Sequence, residues 1–116
     1  MFNLDYQSGL PIYEQIVEQF ERYIAFGVIK PKDQIPSIRE LASSLGINPN
    51  TVKKAYEELE KRGAIVTVST KGTFVTEKIN AVIDKKVKEK IKIIKDAFAD
   101  LEKLGVSRED VMKKIQ

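Results

Sequence analysis

The chain has neither cysteine nor histidine. That excludes disulfides, thiolate chemistry and zinc sites of the usual kind. It also removes imidazole, the commonest acid–base catalyst. No glycine-rich phosphate loop and no isolated acid pair is visible, so no enzyme activity, metal or cofactor is expected. No apolar run approaches the ~18 residues of a membrane span. The N-terminal "MFNLDYQSGLP" lacks the basic start and apolar stretch of a signal peptide, which makes the cytoplasm the expected location. Internal repeats and low-complexity segments are also missing.

What is present is modest in size and strongly patterned. The 116 residues suggest one domain, or a small domain with an appendage. Apolar residues make up 42% of the chain, enough for a small core, and charged residues 32%. The net charge of +3 is unevenly placed. Residues 1–78 hold ten basic and ten acidic side chains, residues 79–116 ten and seven. A case for nucleic acid must therefore rest on local clustering rather than on overall charge.

Hydrophobic spacing predicts three helices in the first half. In "SGLPIYEQIVEQFERYIAFG", Ile12, Ile16, Val17, Phe20, Tyr23 and Ile24 share one face, with Glu14, Glu18, Glu21 and Arg22 on the other. Pro11 suits the first helical position and Gly27 the left-handed stop. Ser37 and Glu40 form a capping-box pair that opens a second helix, which Gly46 ends. Asn48 suits the cap of a third, with Pro49 at its first position and Gly63 at its end. A link of about four residues between the second and third helices has the spacing of a helix-turn-helix, and equally of an ordinary bundle. "AIVTVSTKGTFVTE" then switches to strand-forming residues around a four-residue turn "STKG", a β-hairpin. Helices followed by a hairpin give the order of a winged helix.

The start of the third helix carries the chemistry. Asn50 can donate and accept, as a bidentate contact to adenine requires, and Thr51 can meet a phosphate or a thymine methyl. Free N–H groups of the first turn would attract phosphate. Lys53 and Lys54 project about 100° apart. Lys53 is expected to face the groove, and Lys54 a backbone phosphate or solvent. From these residues alone, a solvated helix start is an equal reading.

"QIPSIRELASSLGINPNTVKKAYEELEKRGAI", followed by "KGTFV", closely resembles the GntR family of bacterial transcription regulators. The match runs from about Pro11 to Val75 and includes "LPIYEQI" near the start. The resemblance implies an operator contact for Arg39, the arginine of "PSIRE". It places Asn50, Thr51 and Lys53 at contact positions of the recognition helix. It sets Lys71 and Gly72 in a wing that approaches the minor groove, with Ser69 and Thr70 as lesser candidates. Four positions depart from the family pattern. Ile35 stands for the usual leucine, and Pro49 for an arginine of some members. Lys32 and Thr70 both stand where glycine is common, so a different loop and a differently shaped wing tip are expected.

The last forty or so residues predict a long helix over "KINAVIDKKVKEKIKIIKDAFADLEKLG" and a short one over "SREDVMKKI", capped by Ser107. Val87, Ile91, Ile94, Phe98 and Leu101 follow the spacing of a two-heptad seam. They are expected to build a homodimer, the alternative being cover by Val111, Met112 and Ile115 of the same chain. The lysine-rich stretch Lys85, Lys86, Lys88, Lys90, Lys92 and Lys95 reads as a solvated face, with an anion or non-specific DNA as the other option. A short tail of this kind resembles the YtrA-like branch of the family. The expected fold is α+β, mainly α: a winged helix-turn-helix over residues 1–78, then a two-helix dimerisation tail over residues 79–116. The implied function is sequence-specific regulation of transcription, most simply repression, at a pseudo-palindromic DNA operator. A small effector would be a further partner, although no residues point to one. The rival reading is a winged-helix protein-interaction module without specific DNA binding.

Overall fold

A computed structural model describes residues 2–116. In chain order it contains α1 (Ile12–Ala25), β1 (Gln34–Ile35), α2 (Ile38–Leu45), α3 (Pro49–Lys61), β2 (Ile65–Val68), β3 (Gly72–Val75), α4 (Ile79–Lys103) and α5 (Arg108–Ile115). The chain divides into two compact units, Met1–Ile83 and Asp84–Gln116.

In the first unit, three helices pack with a three-stranded antiparallel sheet of order β1-β3-β2. The core takes Ile16, Val17, Phe20 and Ile24 from α1, Leu41 and Ala42 from α2, and Val52, Ala55, Tyr56 and Leu59 from α3. Ile35, Ile65 and Val75 close it from the sheet. These are the apolar stripes that period 3.6 marks on the helices. α2 starts with a complete capping box: the Ser37 hydroxyl accepts from the Glu40 N–H, and the Glu40 carboxylate accepts from the Ser37 N–H. It ends at Gly46 with φ 66, a conformation that disfavours side chains.

Several details differ from the expected pattern. Pro11 caps α1 from outside rather than occupying its first turn. Glu21 is buried, because its carboxylate accepts from the Arg62 guanidinium at 2.7 Å and joins α1 to the end of α3. Gln15 is buried too, with its amide fully engaged by the backbone of Asp5 and Leu10 and by Ser8. That side chain straps the segment before α1 onto the helix. The hairpin loop has three residues, not four, because Gly72 already pairs with Val68. β1, absent from the sequence pattern, pairs Gln34 with Phe74 and Ile35 with Thr73.

α4 begins inside this unit. Ile79 is completely buried in the core, with Val82 and Ile83 packed against it. The compact unit therefore extends past residue 78.

The second unit has no buried residue. A turn after α4 folds back through a bond from the Val106 N–H to the Leu101 carbonyl. Ser107 then caps α5 by accepting from the Asp110 N–H. The Arg108 guanidinium lies 4.8 Å from the centre of the Phe98 ring. Phe98, Leu101 and Val111 are half-buried, whereas Val87, Ile91, Ile94, Met112 and Ile115 stay exposed. Packing within the chain thus covers only the C-terminal end of the apolar stripe.

Candidate nucleic-acid interface

α2 and α3 present their N-terminal residues on the surface of the first unit. The Asn48 side chain accepts from the Asn50 N–H at 2.8 Å, and the Asn48 carbonyl from the Thr51 N–H at 3.0 Å. Pro49 has no N–H to offer. The first turn of α3 is therefore already satisfied. The Asn50 and Thr51 N–H groups, expected to be free, thus already have partners within the chain.

The side chains at these helix starts are available. Arg39, Asn50 and Lys53 are exposed and Thr51 is half-buried. The two carboxylates near Arg39 are turned elsewhere, Glu40 into the capping box and Asp33 to the Lys30 N–H. Lys53 edges an open hollow with Ser37, Ile38, Tyr56 and Glu57, completed from the hairpin by Thr67 and Thr73. Glu60, also on its rim, accepts from the Thr67 hydroxyl at 2.8 Å and so links α3 to β2.

Lys54 takes a different direction. Its ammonium lies 4.1 Å from the centre of the Tyr13 ring on α1, a cation–π contact. The two adjacent lysines thus diverge, one toward the α2–hairpin side and one toward α1.

Tyr56 holds α3 against α2. Its hydroxyl donates to the Pro36 carbonyl at 2.6 Å. Burial, and then the negative charge of Glu40, push this hydroxyl well above the usual tyrosine range. It stays a donor throughout physiological pH.

The wing tip is Ser69–Thr70–Lys71, all exposed. The Lys71 N–H donates to the Val68 carbonyl at 3.0 Å, and Thr70 has φ 65. A positive φ at the third position alone is the pattern of a type II turn, which favours glycine there. Lys32 has φ 72. Both residues that stand for glycine therefore hold a left-handed backbone conformation, the kind that favours glycine. Gln34 fixes the tip from the neighbouring strand by donating to the Lys71 carbonyl at 3.2 Å. A Cβ on Gly72, where φ is 125, would come within 2.5 Å of the Gln34 amide nitrogen. Gly72 thus serves the wing through its lack of a side chain. Gln34 and Tyr13 had no sequence signal: each acts on a residue far along the chain.

The family model described as bacterial regulatory proteins, gntR family, matches residues 12–75. The chain is 42% identical over 101 residues to the HTH-type transcriptional repressor YtrA of Bacillus subtilis (strain 168), covering 87% of this chain and 75% of that protein. A transcriptional regulator from Oenococcus oeni has a similar structure, with a TM-score of 0.77 and 35% identity across 99% of this chain and 96% of that one. AraR(DBD), solved in complex with operator ORR3, aligns with a TM-score of 0.55 and 33% identity over 66% of this chain and 92% of that one.

Proposed function

The chain belongs to the GntR family of bacterial regulatory proteins, and from that premise we propose that it binds a pseudo-palindromic operator as a homodimer and acts most simply as a repressor. One observation carries the reading. Arg39, Asn50, Thr51 and Lys53 gather at the N-terminal ends of α2 and α3, and none of their side chains hydrogen-bonds or pairs within the described residues. Protein-interaction surfaces favour aromatic or aliphatic anchors, and this surface offers amide, hydroxyl and cation instead. Asn50 and Thr51 read base edges, Lys53 enters the groove and Arg39 reaches the backbone or an adjacent base. Lys71 and Gly72 bring the wing to the neighbouring minor groove, with Ser69 and Thr70 beside them. Lys54 has the most limited part, steadying α3 through Tyr13 and adding positive charge near the backbone.

A single recognition helix covers few base pairs, so two copies about one helical turn apart are needed. The exposed Val87, Ile91 and Ile94 supply the surface for that pairing, continued by Phe98 and Leu101. An apolar stripe of this length is unfavourable in water. A ligand that favours one spacing of the two halves would regulate binding.

Selection of bound sequences from random DNA tests the reading. A recovered inverted repeat supports it, and the absence of any enriched sequence overturns it. Asn50→Ala or Thr51→Ala should then cost about 1–3 kcal/mol on the selected site while sparing random DNA. Equal losses on both would remove these residues from base reading.

A further inference from the structure

The lysines of α4 are not scattered. At about 100° per residue, Lys85, Lys88, Lys92 and Lys95 share an arc about 80° wide, and Lys103 rejoins it further on. Lys86 and Lys90 fall outside it. No carboxylate lies within the arc. Asp96 lies about 20° beyond one edge and Asp84 and Glu102 about 20° beyond the other; Asp96 accepts from Lys92 at 2.9 Å, an exposed pair that competes weakly with other partners. Among the described residues, Lys85, Lys88 and Lys95 are exposed and make no ion pair. The apolar stripe of Val87, Ile91 and Ile94 is centred roughly 110° round the helix from the arc, and Ile91 borders it, sharing an open hollow with Lys88, Lys92 and Lys95.

Lys85 and Lys88, Lys88 and Lys92, and Lys92 and Lys95 repel at three and four residues, offset in part by Asp84 four before Lys88, Glu89 four after Lys85 and Asp96 four after Lys92. A partner with closely spaced negative charges reverses that repulsion. Lys85 to Lys95 spans about 15 Å, and duplex DNA presents one charge per about 1.7 Å of its axis. Residues 1–78 carry ten charges of each sign, so the net attraction for a polyanion arises in the tail.

We propose that the Lys85–Lys88–Lys92–Lys95 arc grips the phosphate backbone of duplex DNA outside the sequence read by α3. The inference rests on the reading that the chain binds DNA, but it concerns affinity without sequence preference. The test uses the full chain and the variant K85Q/K88Q/K92Q/K95Q. Glutamine keeps the helix propensity of lysine. On long random-sequence duplex, the slope of log affinity against log salt should become shallower by about 3–4 per bound chain, and low-salt affinity should fall roughly tenfold or more. On a short duplex holding only the selected sequence, affinity should change less than about twofold. Arginine at the same four positions should restore the slope. An unchanged slope on long duplex overturns the proposal, as does an equal loss on the short one. So does binding lost only to phosphatidylserine vesicles, which would assign the arc to a membrane surface. If the wild-type chain selects no sequence yet keeps the lysine-dependent slope, the operator reading fails and this one stands.

Discussion

Thr70 and Lys32 hold the left-handed backbone at φ 65 and φ 72, where a Cβ crowds the following carbonyl oxygen. The surrounding contacts keep them there. The Lys71 N–H and the Gln34 amide close the wing around Thr70, and the Lys32 N–H donates to the Val75 carbonyl at 2.9 Å. Thr70→Gly should stabilise the protein by about 1 kcal/mol, the relief of strain exceeding the added freedom of the unfolded chain. A thermal melt should show a rise of a few degrees, and an unchanged or lower midpoint would contradict the strain argument. Sequence reading marks both positions as departures from a glycine pattern, but it expects altered loops. The left-handed backbone at both residues places strain there, which residue identity alone does not reveal.

At the scale of elements, Tyr56 joins α3 to the segment before α2. Its hydroxyl is protonated in the fold at a pH where a free tyrosine, with a pKa of about 10, has ionised. Above pH ~10 the unfolded chain therefore binds fewer protons at this site than the native chain, and stability falls as pH rises. Tyr56→Phe should lose about 1 kcal/mol near neutrality through the missing bond to Pro36. It should also show a shallower alkaline decline than the wild type. Urea unfolding at pH 7 and across pH 10–11 gives both quantities, and parallel declines would contradict the assignment. The helices themselves were legible because Ser37, Asn48, Gly46 and Gly63 punctuate them and the apolar spacing is regular. β1 was not, since two residues have no period. The wing loop is one residue shorter than its sequence suggests, because Gly72, a turn residue by type, sits on a strand. The divergence of Lys53 and Lys54 followed from helical geometry, but the Tyr13 ring under Lys54 depends on how α1 packs.

At the scale of the molecule, a well-buried first unit contrasts with a second that has no interior. The proposed dimer supplies the missing cover. Ile94→Lys should leave a monomer at micromolar concentration in sedimentation and weaken operator binding, with the first unit still folded by circular dichroism. A dimer that persists would move the interface elsewhere. The heptad spacing of the tail was readable from the sequence. The start of its long helix was harder to assign, because Ile79 belongs to the core before it. That buried isoleucine has a consequence for inheritance. A crossover at residue 78 would separate the side chain from the cavity it fills, a loss of roughly 2–5 kcal/mol. One after Ile83 would carry the plug along with its socket. Genes that exchange one tail for another can keep this DNA-reading unit intact only if the splice falls a turn inside the helix, not at the visible end of the hairpin.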